Sequence, residues 1–221
     1  MQLQCADAMV ITVDEHLQSV GYLAKMLVDV GGPAIQSERD RKVASNGGPF
    51  NAGDAVLTGA GMLPCKFLIN MVGVKWDDQL AMEKMDKFKQ AVTKSIERSV
   101  EKQCKSIAIP TLNSEAHFEF SQSVYCQMII KAVKAFCHMH AEGTSMRDIR
   151  LITADDTTAI KIKEFFLVLF GKEDVPASGS GLFCTTESEK PAREEARYQP
   201  KPMPLDFPYL INKSVRNAFY V

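Results

Sequence analysis

The sequence predicts a layered α/β fold, a sheet covered by helices on both faces, and three observations carry that prediction. Short apolar runs of strand length alternate with longer stretches whose apolar residues recur every three or four positions. The short runs are almost continuously hydrophobic, as strands buried on both faces are. The punctuation between elements, Gly31-Gly32-Pro33 and Gly59-Ala60-Gly61, falls where a helix has to stop and where two strands have to turn.

In chain order, Ala8 to Thr12 reads as the first strand. Leu17, Val20, Leu23, Ala24, Leu27 and Val28 then place a helix over 17–30. It ends at Gly31-Gly32-Pro33, because glycine reaches positive φ and proline has no N–H to donate. The polar stretch from Ser37 to Asn51 reads as a connection leading into strands at 55–58 and 66–73. From Leu80 to Cys104 the residues Met82, Met85, Phe88, Val92, Ile96 and Val100 predict a long helix with these side chains in the core. A strand at 106–110 follows, then a helix over 122–138 that buries Met128, Ile129, Ala132 and Val133, then a strand at 149–153. The last helix, 157–170, presents Ile160, Phe165 and Leu169, with Asp155 or Asp156 as its N-cap.

Beyond Gly171 the periodicity stops, and Pro, Ser, Gly and charge dominate Val175 to Pro204. Such a stretch buries too little apolar surface to offset its ordering entropy. The expected organisation is one domain, 1–170, and a largely disordered tail, 171–221. Within that tail, Leu205 to Val221 regains aromatics and reads as a docking segment or the start of a further element.

Composition narrows the function classes. With 46% hydrophobic and 24% charged residues the chain has enough apolar mass for a proper core. A net charge of -1 argues against a broad phosphate-binding surface, so no nucleic-acid partner is expected. No apolar run approaches the ~18 residues of a membrane span, and the N-terminus does not read as a secretory leader. An intracellular protein without a membrane partner is expected. Six cysteines show no C-x-x-C pair and none of the close pairings of a zinc site, so they read as small buried hydrophobes.

The sharper chemical readings are weak. His117 beside Glu115 and Glu119 lacks a further catalytic or metal partner. His138-Met-His140 closes a helix, where residues two apart diverge. Gly59-Ala60-Gly61 lacks the Lys-Ser/Thr of a P-loop, and Cys65 lacks a base. No catalytic constellation, cofactor or metal is expected.

Four collinear motifs carry a resemblance. They are Asp7-Ala-Met-Val-Ile-Thr-Val-Asp-Glu-His-Leu17, Gly31-Gly-Pro-Ala-Ile-Gln36, Leu57-Thr-Gly-Ala-Gly-Met-Leu-Pro-Cys-Lys66, and Ile107-Ala-Ile-Pro-Thr-Leu-Asn-Ser114. Together they resemble the macrodomain family over about Asp7 to Phe170, with the flavour of the first macrodomain of macrodomain-bearing poly(ADP-ribose) polymerases of the B-aggressive-lymphoma type. The resemblance implies a three-layer α/β/α sandwich with a mixed central sheet, lacking the family's first strand. It also implies recognition of ADP-ribose or ADP-ribosylated proteins in the nucleus and cytoplasm, within DNA-damage or antiviral signalling, and protein partners.

By the same resemblance the ligand-binding residues are Val13, Asp14, Val20, Gly21, Tyr22 and Leu23 after the first strand, and Asn113, Ser114, Glu115, Ala116, His117 and Phe118 after the strand at 106–110. Several depart from the family pattern. Ile11 and Asp14 stand for asparagines, Val20 and Tyr22 for glycines, and the second loop has no glycine and carries Glu115. A carboxylate accepts but does not donate, and glycine lets a backbone approach a diphosphate closely. The expectation is therefore a macrodomain-type module whose ADP-ribose binding is weakened or lost. The alternatives are a non-binding interaction scaffold and, least favoured, an ADP-ribosyl hydrolase.

Overall fold

Strand alternation decides how the layers assemble. The computed structural model describes residues 6–111, 118, 120–140, 143–153, 156–170 and 217–220, with Tyr22, Leu23, Asp156 and 217–220 described in backbone alone. The strands are β1 (Ala8–Val13), β2 (Ala55–Gly59), β3 (Phe67–Val72), β4 (Ser106–Pro110), β5 (Asp148–Thr153) and β6 (Asn217–Tyr220). The helices are α1 (Tyr22–Gly31), α2 (Pro33–Ser45), α3 (Ala81–Glu101), α4 (Gln122–Met139) and α5 (Asp156–Phe170).

The strands make one mixed sheet in the order β2-β3-β1-β4-β5-β6. Strands β3, β1, β4 and β5 run parallel, while β2 and β6 are antiparallel to their neighbours at the two edges. Successive strand residues point to opposite faces. Val10, Ile69, Met71, Ile107, Ile109, Ile149 and Leu151 therefore share one core with Phe88, Val92 and Ile96 of α3, Ile129 and Phe136 of α4, and Ile162 and Phe166 of α5. On the other face Ile11 and Leu68 pack with Ala24 and Leu27 of α1, Ile35 of α2 and Leu63. This is the α/β/α sandwich the sequence implied.

Three sequence expectations need correction. The first helix begins at Tyr22, not near Leu17, because Leu17 adopts a left-handed conformation (φ 58) and buries itself as a loop anchor. The polar stretch from Ser37 is not a connection: Pro33–Ser45 is helical, with Pro33 in the first turn, where its missing N–H costs nothing. Its buried positions are Ile35 and Arg39, with Val43 partly buried beyond them, an i, i+4, i+8 line whose middle member is charged. Among the expected core residues, Met82 is 71% exposed and Ile160 58%. Met82 falls off the stripe centred on Phe88, Ala91, Val92, Ser95, Ile96 and Ser99, and the buried line of α5 runs through Ala159, Ile162 and Phe166 instead.

Both sheet edges are managed. On β2, the carboxylate of Glu38 accepts the Gly59 N–H at 2.9 Å, and Arg98 Nε donates to the Ala55 carbonyl at 3.3 Å. Charged side chains of this kind block edge-to-edge pairing. On the other side β5 pairs with β6, Leu151 opposite Phe219 and Thr153 opposite Asn217. The β5 edge is thus covered by Asn217–Tyr220. The remainder of the expected tail, 171–216 and 221, lies outside the described residues.

Candidate functional site

Because β1, β3, β4 and β5 run parallel, their C-terminal ends lie together, and this is the edge of an α/β sheet at which ligands bind. Most of the described candidate residues gather there. Val13 ends β1 and is fully buried, and its carbonyl accepts the Gly73 N–H at 2.9 Å. Gly73 in turn lies flat against Phe118, so close that a Cβ at this position would sit 2.0 Å from the ring. The ends of β1 and β3 are thereby joined to Phe118, beyond β4, through Val13 and Gly73.

The loop between β1 and α1 is closed upon itself. The Asp14 N–H donates to the Gln18 carbonyl and the Leu17 N–H to the Asp14 carbonyl, both at 3.0 Å. Asp14 Oδ1 accepts the N–H groups of His16 at 3.0 Å and Gln18 at 2.7 Å, an Asx-type turn that Asp favours because its short side chain reaches the backbone two residues on. Four backbone donors of this loop are consequently engaged inside it. Val20 is partly buried and packs against the core on the α3 side. Gly21 follows at φ 81, a conformation that favours glycine, and leads into α1 without any side-chain cap. Tyr22 and Leu23 open α1; their side chains lie outside the described residues.

Beneath this loop sits a residue the sequence reading passed over. Arg39 of α2 is fully buried, its Nε donating to Asn70 Oδ1 at 2.7 Å and its Nη1 to Ser19 Oγ at 2.9 Å. Its Nη2 is buried and makes no hydrogen bond. Asn70, fully buried in β3, donates onward to the Val56 carbonyl and to Thr58 Oγ1, both at 3.0 Å. Burial pulls the Arg39 guanidinium down to about 10, opposed by the charges of Asp14 and Asp40, so it stays cationic at neutral pH. The available signal was the spacing Ile35, Arg39, Val43, obscured because an arginine does not announce a buried position.

On the β4 side, Asn113, Ser114, Glu115, Ala116 and His117 lie outside the described residues. The end of their loop is anchored by aromatics. The Trp76 N–H donates to the Phe118 carbonyl at 2.8 Å, Trp76 meets Phe120 edge-on at 4.9 Å, and Phe88 lies against both Phe120 and Tyr125. Burial raises the Tyr125 hydroxyl above its usual range, as expected of a core phenol.

Elsewhere, a cleft of about 380 Å³ opens beside β2 between Phe50, Asp54 and α3. Its cations already have partners, Lys94 with Asp54 at 3.0 Å and Arg98 with Glu101 at 2.9 Å, so it offers no unpaired cation to an anionic ligand. Among the described residues there is no group of three His, Cys, Asp or Glu side chains placed to hold a metal, and no helix is long and apolar enough to cross a membrane.

Comparison with known proteins agrees with this geometry. A family model described as "Macro domain" matches residues 10–129. Among curated relatives, mouse (Mus musculus) protein mono-ADP-ribosyltransferase PARP9 is 28% identical over 169 residues, 76% of this chain and 19% of the relative. An uncharacterised protein of Thermotoga maritima is 33% identical over 162 residues, 73% of this chain and 26% of its own length. The chain thus spans about a fifth to a quarter of these relatives. Among solved structures, the macro domain of ganglioside induced differentiation associated protein 2 superposes with a TM-score of 0.65 at 17% identity, covering 76% of this chain and 79% of that one. The Oceanobacillus iheyensis macrodomain with ADP gives 0.66 at 16% identity, covering 76% and 86%. By the match of the family model to more than half its length, the chain belongs to the macro domain family.

Proposed function

We propose that this chain recognises ADP-ribose, free or attached to protein, through the crevice at the C-terminal ends of β1 and β4, and that it does so weakly. One observation carries the reading: the loop from Asp14 to Gln18 spends its own N–H groups on its own acceptors. A diphosphate is held by backbone donors in such loops, and a donor already bonded inside the protein has to be released before it can serve. The start of α1 at Gly21 still presents uncapped N–H groups and the positive end of the helix, a site that favours an anion. The architecture suits the ligand, then, while the loop grips it poorly.

Titration of the chain with ADP-ribose by calorimetry tests this. The expected dissociation constant is weaker than about 100 μM, or roughly -5.5 kcal/mol. The combined change Asp14→Asn, Tyr22→Gly and Glu115→Gly should recover more affinity than any one of them, since all three bear on one ligand. Micromolar binding by the unmodified chain would make it an ordinary reader, and no binding even by the triple variant would make it a scaffold. As part of the same proposal the chain acts without catalysis in the nucleus and cytoplasm, with ADP-ribosylated proteins as partners. Incubation with a mono-ADP-ribosylated protein should leave the modification intact.

A further inference from the structure

We infer that Arg39 is the positioning residue of the β1–α1 loop, fixing through Ser19 where the start of α1 stands relative to the sheet. What the loop then presents to a ligand rests on the functional reading above; the positioning does not.

The geometry is that of a brace. One arm of the guanidinium ends on Asn70 in β3, which is itself held by Val56 and Thr58 of β2, so this end is fixed in the middle of the sheet. The other arm ends on Ser19, two residues before Gly21 and the first residue past the Asp14 turn. Ser19 also bridges antiparallel to Val13, which fixes the direction of the chain as it leaves the turn. The planar fork of arginine can serve both partners at once, which a lysine cannot do in fixed directions.

Stability alone does not account for this residue. Burying a guanidinium beneath a helix is expensive, and well-packed apolar side chains of similar volume often match or exceed such groups in stability. Here one nitrogen, Nη2, is buried without a partner, which adds an unmade hydrogen bond to that cost. The best-attested return on a buried charge is a uniquely specified conformation, and the conformation specified here is that of residues 14–21. The charge of Asp14, ahead of that of Asp40, favours the cationic form of Arg39. The brace therefore also offsets the carboxylate that closes the turn.

The test uses the full chain with Ser19→Ala, which removes one arm, and Ser19→Thr, which restores the hydroxyl. Backbone order parameters from NMR relaxation are measured for residues 14–21, and ADP-ribose is titrated into all three proteins. Order parameters should be about 0.85 in the unmodified chain and the threonine variant and fall below about 0.6 in the alanine variant, while β3 stays rigid. ADP-ribose affinity should fall at least threefold with alanine and return with threonine. Unchanged order parameters in the alanine variant overturn the proposal, as does loss of order throughout β3, which would mark Ser19 as general core support. If the order parameters behave as expected but none of the proteins binds ADP-ribose, the positioning role stands and the functional reading fails. Arg39→Lys provides a second variant that keeps the charge and loses the fork; it should resemble alanine, and resemblance to the unmodified chain would overturn the brace.

Discussion

Replacing Asp14 by Asn should weaken the protein and strengthen its binding at once, and the two opposing signs make this the most discriminating change. The carboxylate accepts two N–H groups, His16 at 3.0 Å and Gln18 at 2.7 Å. An amide oxygen can accept the same pair, but charge-assisted hydrogen bonds are roughly twice as strong as neutral ones, so the change costs about 1 kcal/mol in all. For a chain of this size that lowers the melting temperature by about 2–4 °C. On the binding side, a carboxylate about 5 Å from a phosphate costs ~0.8 kcal/mol in a watery crevice and ~3 kcal/mol at an effective dielectric of 20. Even the smaller figure corresponds to about a fourfold gain in affinity when the charge is removed.

Calorimetry with ADP-ribose and thermal unfolding on the same samples supply both numbers. The affinity gap between the two proteins should shrink as salt rises from about 0.05 to 0.5 M, because part of it is Coulombic across solvent. Equal affinities in the two proteins at low salt would refute the claim that Asp14 opposes the ligand. A lower melting temperature with no gain in affinity would assign the residue to the turn alone.

Other outcomes follow from the same packing. Gly73→Ala should destabilise by about 1–3 kcal/mol in chemical denaturation, because its Cβ would meet the Phe118 ring at 2.0 Å, and adding Phe118→Ala should recover part of the loss. Asp7 accepts the N–H groups of Lys105 and Ser106 and pairs with Lys66 at 2.7 Å. Burial pushes its pKa up, but these partners outweigh it and hold the value below 3.8. Its contribution is therefore present above that ordinary value and lost as pH falls through the lower folded one. The stability gap to Asp7→Asn should accordingly be constant near neutrality and close below pH 3.8, as denaturation at a series of pH values would show. Deleting residues 215–221 removes β6 and bares the β5 edge, so the shortened chain should self-associate in light scattering, whereas Phe219→Pro, which places a proline within β6, should do so to a lesser degree.

The fold was legible where burial and hydrophobicity coincide. Ala8, Val10, Ile69, Ile107, Ile109 and Leu151 are apolar and buried, and their runs marked the strands. Helix α2 was illegible because its inward line is Ile35, Arg39, Val43, and a pattern search discards a charged middle member. The onset of α1 was misplaced for the opposite reason. Leu17 and Val20 are apolar and extend the helical spacing, yet Leu17 is buried in a left-handed loop and Val20 is partly buried against the core ahead of the helix. Burial reports contact with the core, not the backbone conformation that achieves it. Strand β6 gave no usable period in four residues, and its place depends on an open edge that belongs to a distant part of the chain.

The candidate site was legible in position and not in state. Asp14 and Gly21 could be placed at the end of β1 from the motif around them, but identity alone could not show where the carboxylate points. In the folded chain Asp14 turns back to cap its own loop, and this changes the form of the functional argument. On the proposed reading, repulsion is one obstacle to a dianionic ligand, and the engagement of the His16 and Gln18 N–H groups by the same carboxylate is another. The turn is supported on one side by buried Leu17 and on the other by Ser19 held on Arg39, so loosening it for a ligand means working against the core as well as against two hydrogen bonds. A loop so braced gains stability from the interactions that deny it donors, which is why strengthening the proposed binding should require several concerted changes and should lower the stability of the fold as it succeeds.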